Sequence, residues 1–150
     1  MPGTQEQPDA IVERVPAMID YPLSTRQPAE VTVGVVWSEL IAQIGSPPVM
    51  VNRAHFAPGA RTCWHEHARG QLLIVEQGVA LVQEFDGPVT AVGAGQTIVC
   101  DPGVRHWHGA APHSTMTQFA VTPATADGEY AVWGDQVTDE EYGRWDLQHR

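Results

Sequence analysis

Seven histidines occur in the chain, and four of them form two pairs with one residue between: His65 and His67, then His106 and His108. Residues two apart in an extended strand project from the same face, so each pair aims two imidazoles into one space. Imidazole nitrogen suits first-row transition ions. Gly70 breaks the chain after the first pair, and Gln71 follows just before an apolar run over residues 72–75. The amide oxygen of Gln71 can therefore return to the same space from the next strand. The second pair stands behind Pro102-Gly103, a turn signal that brings in a separate hairpin. The pattern predicts one metal ion held by His65, His67, Gln71 and a donor from the second pair, with His106 and His108 both eligible.

The elements that must position these donors are short and β-rich. Val31 to Val36 reads as a strand continuing towards Ile41, closed by the loop Gly45-Ser46-Pro47-Pro48, and Val49 to Phe56 reads as the next. Strands are expected over residues 62 to 67, 72 to 77 and 79 to 85, with Gly78 as a tight connection between the last two. Turns at Asp86-Gly87-Pro88 and near Gly95 lead to short strands at residues 97–100, 106–109 and 114–121. Short strands between frequent Gly/Pro turns indicate an antiparallel sandwich or barrel, an all-β chain. On the strand alternation counted through residues 62–67, Cys63 shares the face of His65 and His67 and belongs to the same cavity. Trp64 and Trp107, each between two histidines, point the other way into core or interface. Arg61 and Arg69 flank the site and are placed to attract an anionic substrate. Thr138-Asp139-Glu140-Glu141 has the capping-box pattern, which predicts a short helix over about 138–147 that packs on the barrel through Tyr142 and Trp145.

Residues 1–30 carry prolines at positions 2, 8, 16, 22 and 28, which block a regular helix or central strand, so this stretch reads as an arm ahead of a single domain over 31–150. The balance of 8 basic against 18 acidic side chains repels phosphate backbones and argues against nucleic acid as a partner. No apolar run reaches membrane-spanning length, and the first residues lack the pattern of a secretory signal, so a cytoplasmic protein is expected. With two cysteines and no larger framework, Cys63 and Cys100 are expected as free thiols. The arm and the five tryptophans suggest a homodimer or higher homo-oligomer.

Gly59, His65, His67, Gln71 and Gly78 together resemble the first sequence motif of the cupins, with glutamine where most cupins have glutamate. Residues 95–106 resemble the second. The surroundings of both histidine pairs are more similar still to small bacterial cupins that include manganese-dependent hydroxynitrile lyases. The resemblance implies a jelly-roll barrel, and it selects His106 as the fourth ligand, leaving His108 beside the ion as a catalytic residue or proton carrier. It implies Mn2+ as the ion, although the donors alone suit Fe2+, Ni2+, Cu2+ or Zn2+ as well. It also places Asn52, Ala54 and Gln118 at the substrate pocket. Gln118 stands where a cyanohydrin-cleaving type of relative has a further histidine, and an amide cannot exchange a proton near neutral pH.

Three functions compete at this level. A redox-neutral lyase acting on a small hydroxyl or carbonyl compound leads, because three neutral imidazoles and a neutral amide leave the full charge on the ion and favour Lewis-acid chemistry. An iron- or manganese-dependent dioxygenase is the alternative, and a non-enzymatic metal-dependent ligand-binding or sensor module is the third.

Overall fold

The computed structural model describes residues 24–148. Most of the expected N-terminal arm therefore lies outside the described residues. Thr25–Arg26 forms β1 and Thr32–Val33 forms β2. Gly34, with φ of 83°, then turns the chain into β3, Val36–Ile44, so the single strand expected from Val31 to Ile41 is two strands. The next strands are β4 (Val49–Phe56), β5 (Arg61–Thr62), β6 (His65–Glu66) and the long β7 (Gln71–Glu84). They are followed by β8 (Val89–Gly93), β9 (Thr97–Cys100), β10 (His106–Ala110), β11 (Met116–Pro123), β12 (Val132–Trp133) and one helix, α1 (Asp139–Gln148).

All described strand pairings are antiparallel, and they form two curled sheets that share β7. The first half of β7 pairs with β11 and β9, in the sheet that continues through β4 and β3 to β1. Its second half pairs with β10 and β8, in the sheet that carries β5, β6, β2 and β12. This is the expected jelly-roll barrel, but Gly78 is not a connection between two strands. It sits inside β7 at φ 78°, opposite Met116, and a bulge beside it leaves Glu76 unmatched where the strand passes from one sheet to the other. The glycine signal was real, and its cause is a bend within a strand.

The barrel interior is part apolar and part polar. One part is filled by Val36, Phe56, Ala60, Val75, Ala80, Ala110 and Met116, and the polar side chains described below adjoin it through Val36 and Phe56. Outside, α1 covers Trp64, Leu81, Val89 and Trp107 together with Val137, Tyr142 and Trp145. Trp64 and Trp107 thus point away from the barrel interior, as alternation requires, and their indole N–H groups donate to Glu141 and Gln83. The capping box is present: the Glu141 N–H donates to Thr138 Oγ1 and the Thr138 N–H donates to Glu141 Oε1, both at 3.1 Å. Arg61, 5% exposed, is committed to this packing rather than to the cavity. Its guanidinium donates to the Val137 carbonyl and Asp139 and lies over the Tyr142 ring.

At Gly78 a Cβ atom would lie 1.8 Å from the Thr115 carbonyl oxygen, on a backbone conformation that side chains other than glycine resist. Gly78→Ala should therefore destabilise the barrel by about 3 kcal/mol or more. Denaturant unfolding measures it, and a loss below about 1 kcal/mol would contradict the role given to this residue.

Candidate metal centre

Strand register brings the two histidine pairs together. His65 on β6 lies directly opposite His106 on β10, and cross-strand partners on one face are close neighbours. Their ring centroids are 4.4 Å apart. His67 follows β6 at a tight turn in which Gly70 and Gly103 both donate to its carbonyl, and its ring lies 4.9 Å from His65 and 5.4 Å from His106. His108, one alternation further along β10, has its ring 5.3 Å from that of His65. Side-chain nitrogens of His65, His106 and His108 lie within 4.8 Å of one another, so three histidines could hold a metal ion. Gln71 opens β7, half-buried beside them.

Hydrogen bonds sort these side chains by what they present to the cavity. Nδ1 of His65 is 2.8 Å from the Cys63 carbonyl, Nδ1 of His67 is 2.8 Å from the Tyr130 carbonyl, and Nδ1 of His106 is 3.0 Å from the Val104 carbonyl. A carbonyl only accepts, so each ring carries its proton on Nδ1 and keeps a lone pair on Nε2. Gln71 donates through Nε2 to Thr122 Oγ1 at 3.0 Å, which leaves its Oε1 as an acceptor. His67 Nε2, His106 Nε2 and Gln71 Oε1 are all buried with no hydrogen-bond donor. Three buried acceptors without a donor are costly as they stand, and a nearby cation is a chemistry that satisfies such acceptors. The residues therefore fit a divalent ion.

Burial also sets their protonation. Removal from water pushes the His106 imidazole down to about 4, with the neighbouring His67 adding to the effect. His65 and His108 are pushed well below the ordinary range, by burial first and by neighbouring histidines second, and His67 is lowered by burial. All four are neutral at neutral pH, as metal ligands must be.

A cavity of about 440 Å³ leads to the cluster. His65, His67, Gln71 and His108 form its inner wall, and Asn52, Ala54 and Gln118 line it too. Asn52 and Ala54 come from β4, while Gln118 comes from β11, paired with Ala54. Val36, Phe56, Met50 and Ala120 add apolar surface, and Trp133 stacks on His65 at 4.6 Å near the rim. His106 does not line this cavity; its ring packs against those of His65 and His67, and the residue also borders a second hollow of about 400 Å³ lined by Val82, Glu84 and residues of β8 and β9. Cys63 does not line the main cavity. The strand expected across residues 62–67 breaks between β5 and β6, which shifts the alternation by one, so Thr62 faces the cavity and the buried Cys63 thiol turns to the Ala29 carbonyl. Arg69 likewise donates to the Ala124 carbonyl instead of facing the cavity. Both cysteines are free, and burial pushes the Cys100 thiol up to about 12.

Sequence reasoning missed the segment Tyr130 to Trp133. It supplies the carbonyl that orients His67 and the ring that stacks on His65, yet its sequence has no metal-binding signal. A backbone carbonyl has no residue signature, and only the pairing of β12 with β6 brings it there.

The model for the cupin domain matches residues 52–122. An (R)-mandelonitrile lyase from Granulicella tundricola is 38% identical over 122 residues, which cover 81% of this chain and 92% of that protein. A crystal structure of a cupin-like protein from Thermotoga maritima has 30% sequence identity and a TM-score of 0.75, covering 85% of this chain and 96% of that one. A cupin 2 conserved barrel protein from Rhodopseudomonas palustris shares the fold, at 14% identity and a TM-score of 0.61, over 85% of this chain and 83% of its own.

Because these imidazoles hold fewer protons folded than unfolded, metal-stripped protein should be most stable above pH 6.5 and lose stability as pH falls from there to about 4. His106 alone contributes about 3 kcal/mol over that window. Unfolding of chelator-treated protein across the window measures it, and a flat profile would contradict the burial of neutral imidazoles.

Proposed function

The chain belongs to the cupins, and from that premise we propose that it is a metal-dependent enzyme acting without net redox change on a small hydroxyl or carbonyl compound, a lyase of the kind its 38% identical relative is named for. One divalent ion, manganese first among the candidates, is held by His65, His67, Gln71 and His106. The observation that carries this reading is the set of buried acceptors, His67 Nε2, His106 Nε2 and Gln71 Oε1, left without donors.

When bound, such an ion supplies Lewis-acid polarisation of a substrate oxygen. The protein does the rest. Gln71 contributes a neutral ligand oxygen, so no ligand charge offsets that of the ion, and this favours polarisation over oxidation. The apolar side chains of Val36, Ala54 and Phe56 exclude water from the organic part of the substrate, and Asn52 offers a hydrogen bond. His108 meets the reacting oxygen. In cyanohydrin cleavage the carbon–carbon bond to the nitrile breaks, the hydroxyl becomes a carbonyl, and the hydroxyl proton ends on cyanide. Gln118 cannot carry that proton.

No described helix is long and apolar enough to cross a membrane. Two free buried thiols fit a reducing, cytoplasmic setting. A homodimer or larger homo-oligomer is supported by Trp37, Ile74 and Val99, exposed on the sheet that contains β3, β7 and β9.

Metal-loaded protein should release cyanide from (R)-mandelonitrile, the compound in the relative's name, without consuming oxygen. Oxygen uptake coupled to turnover would favour a dioxygenase, and tight binding without turnover would favour a binding module. Gln71→Glu should retain the metal, lower the turnover of a Lewis-acid reaction and ease metal oxidation. Equal metal content with unchanged rate and potential would remove the basis for preferring the lyase.

A further inference from the structure

Among the four clustered imidazoles, His108 differs in what its Nδ1 meets. The other three face backbone carbonyls there, whereas Nδ1 of His108 lies 2.9 Å from the amide nitrogen of Gln118. That nitrogen is a donor, so Nδ1 must accept and the ring proton must sit on Nε2. We propose that Gln118 is a positioning residue that fixes His108 as its Nε2–H tautomer, so that the histidine cluster offers lone pairs from His65, His67 and His106 and a single imidazole N–H from His108.

The surroundings leave little freedom. Gln118 is 1% exposed and His108 is 4% exposed. The His108 ring sits edge-on to Phe56 at 6.0 Å, and its backbone N–H donates to Thr62 Oγ1. Turning the Gln118 amide over would place its oxygen on Nδ1. It would then leave both N–H donors of the amide unpaired, whereas at present the oxygen lacks a partner and one of the two N–H groups is paired, to His108. An orphaned buried N–H is rarer than an under-satisfied carbonyl, so the present orientation is favoured.

Two consequences follow for chemistry, the second resting on the function proposed above. An N–H cannot ligate, which excludes His108 from the ion although its nitrogens lie as close to those of His65 and His106 as ligands would. The same N–H is a preorganised donor for a substrate oxygen that gains negative charge, a neutral oxyanion partner and not a resting base. Glutamine at position 118 thus sets the role of a histidine on the neighbouring sheet.

The test is nitrogen NMR of protein labelled with 15N-histidine, stripped of metal and held at neutral pH, with His108→Asn used to assign the His108 signals. Wild-type His108 should show an unprotonated Nδ1 and a protonated Nε2, opposite to His65, His67 and His106. Gln118→Glu, read at a pH where the carboxyl 13C shift shows it ionised, places only acceptors on Nδ1 and should reverse the His108 signals. Zinc titration of that variant should then show His108 joining the ligands, which wild type should not. A protonated Nδ1 in wild type overturns the proposal, and so does a Gln118→Glu spectrum unchanged at His108. The wild-type spectrum decides even where the variant fails to fold, and no activity enters it, so absence of cyanide release would sink the proposed reaction while leaving this result standing.

Discussion

Three imidazoles are turned inward by bonds from Nδ1 to backbone carbonyls, and the rest of the site depends on this constraint. A histidine free to rotate would average its lone pair over many directions and pay side-chain entropy on binding an ion. Here the carbonyls of Cys63, Tyr130 and Val104 fix both tautomer and direction before any ion arrives. Each carbonyl belongs to a different loop or strand end, so the site is a readout of how those segments are held. Two of the acceptors it creates, His67 Nε2 and His106 Nε2, are unpaired and buried, a local cost that folding must offset elsewhere.

The offset comes from the barrel. β7 runs through both sheets, so Gln71 at its start and Val82, the cross-strand partner of His108, near its end are parts of one strand. The bend at Gly78 lets that strand serve both sheets. Packing on the far side of β10 does related work: Trp107, fully buried between two inward histidines, anchors the strand against Leu81 and the C-terminal helix. Arg61 ties the start of that helix to β5 through Val137 and Asp139. A basic side chain beside a metal motif is thus a brace, which the sequence alone had suggested was an attractor of anions.

How much was legible depended on whether the relevant signal was local. The parity of His65 with His67 and of His106 with His108 survived folding, because each pair spans a single step of extended chain. The capping box at Thr138 was legible for the same reason, since both partners lie within one helical turn. Cys63 was misplaced because its assignment assumed unbroken alternation across residues 62–67, and the break between β5 and β6 is imposed by pairing with segments distant in sequence. Gly78 was read as a turn because a bend inside a strand and a hairpin make the same demand on φ. The Tyr130 carbonyl and the contact between Gln118 and His108 were invisible, being products of tertiary register alone.

The central claim is that the lone pairs fixed by those carbonyls, together with the Gln71 oxygen, form one ion's coordination sphere. Anomalous diffraction from crystals of the protein loaded with manganese tests it most directly. The account predicts a single peak at bonding distance from Nε2 of His65, His67 and His106 and from Oε1 of Gln71, with His108 unbonded. A peak held by His65, His106 and His108, with His67 and Gln71 turned away, would contradict it.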